Sequence, residues 1–284
     1  MMAMLAEAGP GISGEEEGPI SSSSKYPGPD APLLRVRQIT KRYGARIGCA
    51  DVSFDLWPGE VMGIVGESGS GKSTLLGCLS GQLRPDQGEV VFRTRTGPVD
   101  TVRMSEPDRR LLARTDWAFV HQNPRDGLRM GVSAGGNVGE RLMATGARHY
   151  GRIRGSAGEW LERVEIDRGR IDDRPSQFSG GMQQRLQIAR NLVSGPKLAF
   201  MDEPTGGLDV SVQARLLDLL RGLVRDMGLS AVLVTHDLAV VRLLADRLMV
   251  MKDGHVIETG LTDQVLDDPQ HGYTQLLVSS VLQV

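Results

Sequence analysis

The feature that most constrains this chain is the stretch GESGSGKS at residues 66–73, which directly follows the apolar run VMGIV at residues 61–65. It matches the pattern G-x-x-x-x-G-K-[ST] at every fixed position. Its glycines allow backbone N–H groups to wrap around phosphate oxygens, and the helix expected next points the positive end of its dipole at the anion. The sequence therefore predicts a strand–loop–helix unit that binds the phosphates of a nucleotide.

The fixed positions of this phosphate loop have individual predicted roles. Lys72 is expected to reach the β- and γ-phosphates, and the hydroxyl of Ser73 is expected to bind Mg²⁺. The residues predicted to bind ATP in this segment are Gly66, Glu67, Ser68, Gly69, Ser70, Gly71, Lys72, Ser73 and Thr74.

Two adjacent carboxylates end a second apolar strand, KLAFMDEP at residues 197–204. Paired carboxylates are costly in such a place unless a metal ion or a basic side chain compensates their charge. A Mg²⁺ ion beside the phosphate loop would compensate them, with Asp202 as a ligand, directly or through water. Glu203 is predicted to be catalytic because it could polarise the water that attacks the γ-phosphate.

Two further polar side chains are predicted at strand ends, Gln122 after WAFVH and His236 after AVLVT. The carboxyl ends of parallel strands meet at one edge of a sheet, where ligands gather. His236 could contact the γ-phosphate and hold the attacking water. Gln122 offers an uncharged oxygen to Mg²⁺ or to that water, so both are predicted catalytic residues and Gln122 is also a predicted metal ligand.

Strands and helices alternate from residue 33 onward, which is typical of an α/β fold built on a parallel sheet. Strands are predicted at LLRVRQIT, CADVSFDL, VMGIV, WAFVHQ, KLAFMDEP and SAVLVTHD, and a long helix at residues 210–228. Residues 124–176 read as a mostly helical insert. RLMVMKDGHVIETG at residues 247–260 predicts a hairpin that turns at Asp253-Gly254.

Composition excludes several classes of protein. The formal net charge is −2, so bulk attraction to nucleic acid is not expected, and two cysteines without metal-ligand spacing indicate a reducing compartment. No apolar run approaches the roughly 20 residues of a membrane span, and the first residues lack the pattern of a secretion signal. We expect a cytoplasmic protein without direct membrane insertion. Residues 1–32, rich in Gly, Pro and Ser, are predicted to form a disordered tail.

A second glycine-rich helix start, FSGGMQQR at residues 178–185, needs a separate explanation, because one nucleotide needs only one phosphate loop. The order of the phosphate loop, Gln122, FSGGMQQR, LAFMDEP, GGLD and His236 resembles the nucleotide-binding cassette of the ABC ATPase superfamily. The resemblance covers about residues 33–260. It implies a P-loop NTPase fold with a parallel-sheet core, an antiparallel β-subdomain and a helical subdomain at about 123–183, within one domain at 33–284.

In that superfamily two cassettes, identical or paralogous, meet head to tail, and each signature helix points at the γ-phosphate held by its partner. The resemblance therefore assigns Ser179, Gly180 and Gly181 to the partner's ATP and Asp209, in GGLD, to a loop at the dimer interface. It assigns Tyr43, in KRYG, to stacking on adenine, where a core aromatic is the alternative. Phe178 and Met182 depart from the usual LSGGQ signature, although the anion-binding atoms remain.

Within the superfamily, this chain resembles two subfamilies. LDDPQHGYTQLLVSS at residues 266–280 resembles the end of peptide importer cassettes, with Gly272 in place of the usual proline, but the Cys-rich extension common there is missing. Residues 123–151, with the phosphate-loop and signature segments, resemble the ATP-binding K subunits of bacterial carbon–phosphorus lyase systems. That resemblance implies a soluble phosphonate-degrading core as partner, and a peptide or nickel importer is the alternative. DNA- or ribosome-handling ABC proteins carry insertions or fused cassettes that are not found here.

A docked partner would respond to movement of the cassette through the helical insert. The charged and apolar residues of the insert are predicted to bind the phosphonate-degrading core wherever they are exposed. The candidates are Arg125, Asp126, Arg129 and Arg141 for charge, and Leu128, Met130, Val132 and Met143 for apolar contact. The alternative is that the apolar members simply pack inside the insert.

Overall fold

The computed structural model describes residues 31–281, so nearly all of the predicted N-terminal tail lies outside the described residues. The strands are β1 (Leu34–Tyr43), β2 (Arg46–Leu56), β3 (Val61–Val65), β4 (Gln87–Thr94), β5 (Gly97–Asp100), β6 (Trp117–Val120), β7 (Leu198–Asp202), β8 (Ser230–Val234), β9 (Arg247–Lys252) and β10 (His255–Leu261). The helices are α1 (Lys72–Leu79), α2 (Glu106–Thr115), α3 (Pro124–Gly127), α4 (Ala134–Ala144), α5 (Tyr150–Arg163), α6 (Gly180–Leu192), α7 (Val210–Met227), α8 (Leu238–Leu244), α9 (Thr262–Asp267) and α10 (Gly272–Val281).

A six-stranded sheet in the order β10-β9-β3-β8-β7-β6 forms the centre of the fold. The pairs β3–β8, β3–β9, β7–β8 and β6–β7 are parallel, and only β9–β10 is antiparallel. The predicted parallel core is confirmed. So is the hairpin between β9 and β10, which turns at Asp253 and Gly254 with φ of 49° and 81°, as expected of a two-residue hairpin turn with both residues left-handed.

A separate four-stranded antiparallel sheet has the order β2-β1-β4-β5. Its first two strands follow the predicted pattern. The sequence pattern does not predict β4 and β5, although the buried Val90 and Phe92 in β4 alternate with partly buried neighbours, as the side-chain alternation of a strand allows. Helix α1 packs between this sheet and the parallel one, so the helix that follows the phosphate loop is held from both sides.

The mostly helical insert predicted at residues 124–176 is confirmed over α3, α4 and α5, with 3-10 turns at Arg168–Arg170 and Pro175–Gln177, and α6 follows it. Helix α6 continues to Leu192 and packs on β6 as well as on α4. Among the described residues, none of the helices combines the length and the apolar character that a membrane span requires.

Three predicted strands end earlier than the sequence pattern indicates, and one of them is β7, which ends at Asp202. Strand β6 ends at Val120 because the backbone of His121 bonds to side chains of α6: its N–H donates to Gln187 Oε1 at 2.6 Å and its carbonyl accepts from Gln184 Nε2 at 3.2 Å. Strand β8 ends at Val234. Gln122 and His236 therefore lie two residues beyond their strands, in loops at the same edge of the sheet.

The parallel sheet is buried on both faces, as its position between two layers requires. In β7, Ala199 and Met201 join the apolar cluster formed with the helical insert and α7. Leu198 and Phe200 alternate with them and join the cluster shared with the antiparallel sheet. The core thus extends through the sheet and connects the two outer layers.

Trp117 closes the contact between the two sheets. It is 2% exposed, and its ring packs edge-on against Phe92 of β4 at 5.4 Å and against Phe200 of β7 at 5.2 Å between centroids. Edge-to-face pairs of this kind stabilise beyond the area they bury.

Replacing Trp117 by alanine should lower the free energy of unfolding by about 3–5 kcal/mol, because the cavity left between two rigid sheets cannot collapse fully. Denaturant unfolding monitored by circular dichroism measures this. Trp57→Ala is the matched control, since Trp57 is 42% exposed and its loss should cost less than about 1 kcal/mol. Equal losses for the two variants would contradict the assignment of Trp117 to the contact between the sheets.

Candidate nucleotide-binding site

The phosphate loop joins β3 to α1 and closes tightly on neighbouring backbone. A Cβ on Gly66 (φ 152°) would lie 2.2 Å from the carbonyl oxygen of Met251, and a Cβ on Gly71 (φ 104°) would lie 2.0 Å from that of Gly48. Any side chain at these two positions would collide with backbone. The predicted need for glycine in this loop is therefore steric as well as conformational.

Lys72, the first residue of α1, turns back into the loop. It is 6% exposed, and its Nζ donates to the carbonyls of Gly66 and Glu67, both at 2.8 Å. Burial lowers the pKa of Lys72, while the carboxylates of Glu203 and Asp202 act to raise it. An ammonium group has three donors, so one N–H of Lys72 remains for a ligand.

A cavity of about 800 Å³ opens over the loop. It is lined by Tyr43, Arg46, Gly48, Ser68, Gly69, Gly71, Lys72, Ser73, Thr74, Gln122, Glu203 and His236. The structure thus brings together side chains predicted from five separate segments of the sequence. Arg46 and Gly48, in β2, are lining residues that sequence reasoning missed. The available signal was their position, directly after the turn that follows Tyr43.

The predicted acidic site lies at the end of β7, next to the loop. Asp202 Oδ1 is 3.2 Å from the hydroxyl of Ser73, which donates to it. Burial raises the pKa of Asp202, and the neighbouring Glu203 acts in the same direction. Two carboxylates that are partly desolvated and adjacent favour a bound cation.

Glu203 has an unusual backbone and an unusual carboxylate. Its φ is 43°, and hydrogen bonds from its N–H to Val234 and from Gly206 to its carbonyl hold this conformation. Oε2 is buried without an aligned donor, although Nδ1 of His236 lies only 2.7 Å away. His236 itself is largely exposed to the cavity. Non-glycine residues held at positive φ cluster at functional sites.

The oxygen atoms near the loop fit Mg²⁺. The hydroxyl of Ser73, the carboxylate of Asp202 and the amide of Gln122 are hard oxygen donors, and Mg²⁺ is usually bound by one or two protein oxygens together with substrate phosphates and water. Within residues 31–281, no group of three or more His, Cys, Asp and Glu side chains forms a cage that would hold a metal without a nucleotide. The donor set is therefore suited to a metal that arrives with its nucleotide.

The second glycine-rich helix start lies apart from this cavity. Ser179 is the N-cap of α6, and its hydroxyl accepts from the N–H of Met182 at 3.4 Å. Ser179 and Gly180 are exposed, whereas Gly181 is buried, with Val212 where a Cβ would be. Phe178 is buried, with the guanidinium of Arg170 4.4 Å above its ring. Phenylalanine at this position, where the usual signature has leucine, thus packs in the interior of the insert.

Asp209 is the N-cap of α7, in an extended conformation and without a side-chain capping bond. It is exposed, as is Val210 after it. Neither residue lines the cavity over the phosphate loop. Asp209 therefore lies on the surface, in the segment between β7 and α7.

Of the residues of the helical insert that are candidates for binding a partner, only some are exposed. Arg125, Asp126 and Arg129 are exposed, and so is Met143, at 46%. Met130 and Val132 are partly buried. Two candidates are less accessible: Leu128 is a core residue, and the partly buried Arg141 donates to the carbonyls of Ala113 at 2.8 Å and Trp117 at 2.7 Å. The apolar packing of the insert explains the burial of Leu128, and the carbonyls at the end of α2 and the start of β6 explain the position of Arg141.

Comparisons with known proteins agree with this geometry. A family profile described as "ABC transporter" matches residues 49–206, more than half of the chain. The chain belongs to the ABC transporter family of ATPases. The cassette is 69% identical over 252 residues to the "Putative phosphonates utilization ATP-binding protein PhnK" of Escherichia coli strain K12, covering 89% of this chain and 98% of that protein.

A more distant relative is the "Glutathione import ATP-binding protein GsiA" of Shigella flexneri serotype 5b, 35% identical over 279 residues. The cassette spans 44% of the length of that protein. Solved structures give the same fold. The dimeric cassette MJ0796 bound to ADP and phosphate matches with a TM-score of 0.72 at 30% identity, over 81% of this chain and 99% of that one. CbiO1 from Clostridium perfringens, part of the ABC transporter complex cbiONQ, matches with a TM-score of 0.73 at 28% identity, over 84% of this chain and 92% of that one.

Replacing Lys72 by alanine should weaken ATP binding about ten- to a hundredfold and remove most hydrolysis, because one charge-assisted contact contributes about 1.5–3 kcal/mol. Calorimetric titration with ATP and a phosphate-release assay measure the two effects. Lys197→Ala is the matched control, since this partly exposed lysine precedes the first residue of β7, at the opposite end of that strand from Asp202, and lies outside the cavity lining. Near-normal turnover of the Lys72 variant would contradict the role predicted for that residue.

Proposed function

We propose that this cassette is the Mg²⁺-dependent ATP-hydrolysing subunit of a cytoplasmic carbon–phosphorus lyase complex, in which ATP-driven closure of a cassette dimer is coupled to phosphonate degradation. The observation that carries the proposal is the 69% identity to a phosphonate utilization ATP-binding protein, along 98% of that protein. The geometry of the site supplies the ATPase part of the mechanism.

In this mechanism the phosphate loop receives the β- and γ-phosphates. Lys72 uses its remaining donor on them, and backbone N–H groups of the loop surround the other oxygens. Tyr43 is half exposed at the rim of the cavity, where its ring is free to stack on adenine, a contact worth about 1–3 kcal/mol. The two ends of the nucleotide are thereby held by different sheets.

Ser73, Asp202 and Gln122 are the residues that would hold Mg²⁺. When bound, the ion supplies positive charge to the phosphate oxygens as negative charge shifts during transfer. The same ion would stabilise the charged form of Asp202, because the cation offsets the desolvation of its carboxylate. The Ser73 hydroxyl lies 3.2 Å from Oδ1 of Asp202, so these two oxygens are already adjacent.

Glu203 is the residue that polarises the attacking water. Glu203 lines the cavity, and no protein group donates an aligned hydrogen bond to its Oε2, so its carboxylate is not committed to a donor of the protein itself. His236 lies on the same side, 2.7 Å from that oxygen, where it can hold the water and contact the γ-phosphate. General-base assistance of this kind contributes about 10²- to 10⁴-fold to rate.

The second helix start serves the ATP of a partner cassette. Ser179 and Gly180 are exposed at the N-terminus of α6, which has 13 residues, and a helix start that lacks its own ligand is suited to an anion brought from outside. Asp209 is exposed at the start of α7 and would cross the same interface. The dimeric form of the related cassette MJ0796 with ADP and phosphate supports this arrangement.

Glu203→Gln should stall hydrolysis while ATP still bridges two cassettes, because the amide keeps the shape of the carboxyl but polarises water poorly. Adding Mg-ATP should then shift the variant towards a dimer in sedimentation velocity. Adding Ser179→Arg to it should abolish the shift, since a bulky side chain would keep the start of α6 away from the partner's γ-phosphate.

The control for this experiment is Ser279→Arg in the Glu203→Gln background, because Ser279 is exposed on α10 and outside the cavity lining. Its dimer shift should persist. A Glu203→Gln protein that stays monomeric in saturating ATP would contradict a homodimer. A paralogous cassette that restores the shift would then identify a heterodimer.

A basic cavity beside the helical insert is the surface we propose for the lyase core. It has a volume of about 760 Å³ and lies between α2, α4 and α6. Its lining comprises Arg110, Ala113, Arg114, Glu140, Arg141, Met143, Ala144, Ala147, Arg148 and Arg190. Five arginines and one glutamate line it, so a partner with an acidic surface fits best.

The one carboxylate in this basic cavity does not neutralise it. Glu140 already pairs through Oε1 with Arg129 at 3.0 Å and through Oε2 with Arg190 at 2.8 Å. Burial, with the nearby charge of Arg190, lowers the pKa of Arg141 to about 10, so this guanidinium still carries its charge at neutral pH. Arg110 pairs with Glu106 at 2.8 Å, outside the lining, so the positive charge left for an acidic partner is that of Arg114, Arg141 and Arg148.

The same cavity joins the parts of the cassette that closure would move. Helix α2 precedes β6, which ends two residues before Gln122, and α6 begins at the signature and carries Arg190 near its other end. A protein seated between α2 and α4 thus contacts elements connected to both nucleotide-contacting segments. Closure around a ligand is the motion that such a partner would sense.

Reversing two charges in the basic cavity, Arg110→Glu with Arg114→Glu, should weaken co-purification of the lyase core at least tenfold and stop growth on a phosphonate as sole phosphorus source. Basal ATPase should stay within about twofold, since neither residue lines the nucleotide cavity. Affinity capture from phosphate-starved cells and a growth assay measure these effects.

The matched control is Arg221→Glu with Arg225→Glu, which places the same charge change at the same four-residue spacing on the exposed face of α7. Capture and growth should be normal in this control. Normal growth of the Arg110/Arg114 variant would contradict docking in the basic cavity. Stable capture of a membrane permease by the unmodified chain would favour the importer alternative, which the 35% identity to a glutathione import protein keeps open.

A further inference from the structure

One peptide group of the phosphate loop is held by hydrogen bonds on both of its sides. The carbonyl of Gly66 accepts a hydrogen bond from Lys72 Nζ at 2.8 Å, and the N–H of Glu67 donates to the hydroxyl of Tyr273 at 3.1 Å. These two atoms belong to the same planar trans peptide, so they point in opposite directions. A rotation of this peptide would break both bonds together.

Tyr273 comes from the far end of the chain, in the HGYT segment that the nucleotide chemistry does not use. It lies in α10 and does not line the nucleotide cavity. Its ring is buried in an apolar cluster with Val65, Val265 and Leu266, and Lys252 Nζ lies 4.8 Å from the ring centroid. Packing therefore fixes where the hydroxyl stands.

The segment before Tyr273 is itself anchored. Both oxygens of the Glu258 carboxylate in β10 accept backbone bonds, from Gln270 at 2.8 Å and from His271 at 3.1 Å. His271 Nδ1 in turn accepts from the N–H of Tyr273 at 3.0 Å. A chain of hydrogen bonds thus runs from β10 through this turn to the phosphate loop.

The loop needs such support because Gly66 offers little resistance to rotation. At φ 152° it occupies a region open mainly to glycine, and glycine also populates many other conformations. The carbonyls of Gly66 and Glu67 hold the Lys72 ammonium. Support for their shared peptide therefore keeps that ammonium at the phosphate position before the nucleotide arrives.

We propose that Tyr273 is a positioning residue for ATP binding: its hydroxyl holds the Gly66–Glu67 peptide so that Lys72 is pre-organised for the phosphates. The inference depends on ATP binding alone and not on the phosphonate partner, so it can fail or hold independently of the docking proposal.

Tyr273→Phe removes the hydroxyl and keeps the ring in its apolar cluster. In the full-length protein the Kd for ATP, measured by calorimetry with and without Mg²⁺, should rise about two- to tenfold, the effect of one hydrogen bond. KM for ATP should rise in parallel, while kcat at saturating ATP should change less than twofold because bound phosphates order the loop themselves. Tyr150→Phe, which removes an exposed hydroxyl on α5, is the matched control and should change neither constant.

A double-mutant cycle with Lys72→Ala separates positioning from a general loss of structure. If Tyr273 acts through Lys72, Tyr273→Phe should change the Kd less than twofold in the Lys72→Ala background. An unchanged Kd for Tyr273→Phe alone would overturn the proposal. The same fold-change in both backgrounds would overturn it too, because Tyr273 would then act on binding without Lys72.

Discussion

The buried ammonium of Lys72 is the constraint on which the rest of this structure depends. A cation removed from water must find acceptors and negative charge, since burial alone lowers its pKa. Two carbonyls of its own loop supply the acceptors, and Asp202 and Glu203 supply the negative charge. The loop after β3 and the end of β7 must therefore lie at one edge of the sheet, which a parallel arrangement provides.

The layers on the two faces of the sheet carry different parts of the candidate sites. The antiparallel sheet, packed on one face, carries Tyr43 to the rim of the cavity. The helical insert, packed on the other face, carries the signature and half of the basic cavity. Because β7 contributes alternate side chains to both apolar clusters, a shift in one layer is opposed by packing in the other. Closely packed cores of this kind transmit displacement rather than absorb it.

The two glycine-rich helix starts have similar local chemistry and opposite surroundings. Around the phosphate loop, backbone of Gly48 and Met251 approaches so closely that a side chain at Gly71 or Gly66 would collide with it. At the signature, Ser179 and Gly180 face solvent. The first start is thus closed by its own chain, whereas the second is open to solvent, and solved cassettes related to this chain are dimeric.

Local sequence determined a large part of this protein: the phosphate loop, the strands around it, the helical insert and the Asp253-Gly254 turn all follow from patterns that span a few residues. Tertiary structure alone decided what depends on distant partners. Arg141 turned inward because carbonyls of Ala113 and Trp117 needed a donor, and Tyr273 reached a loop more than 200 residues earlier in the chain through the packing of its ring. Periodicity and motif spacing describe a residue's neighbours along the chain, whereas hydrogen-bond satisfaction and packing are settled by neighbours in space, which no short pattern records.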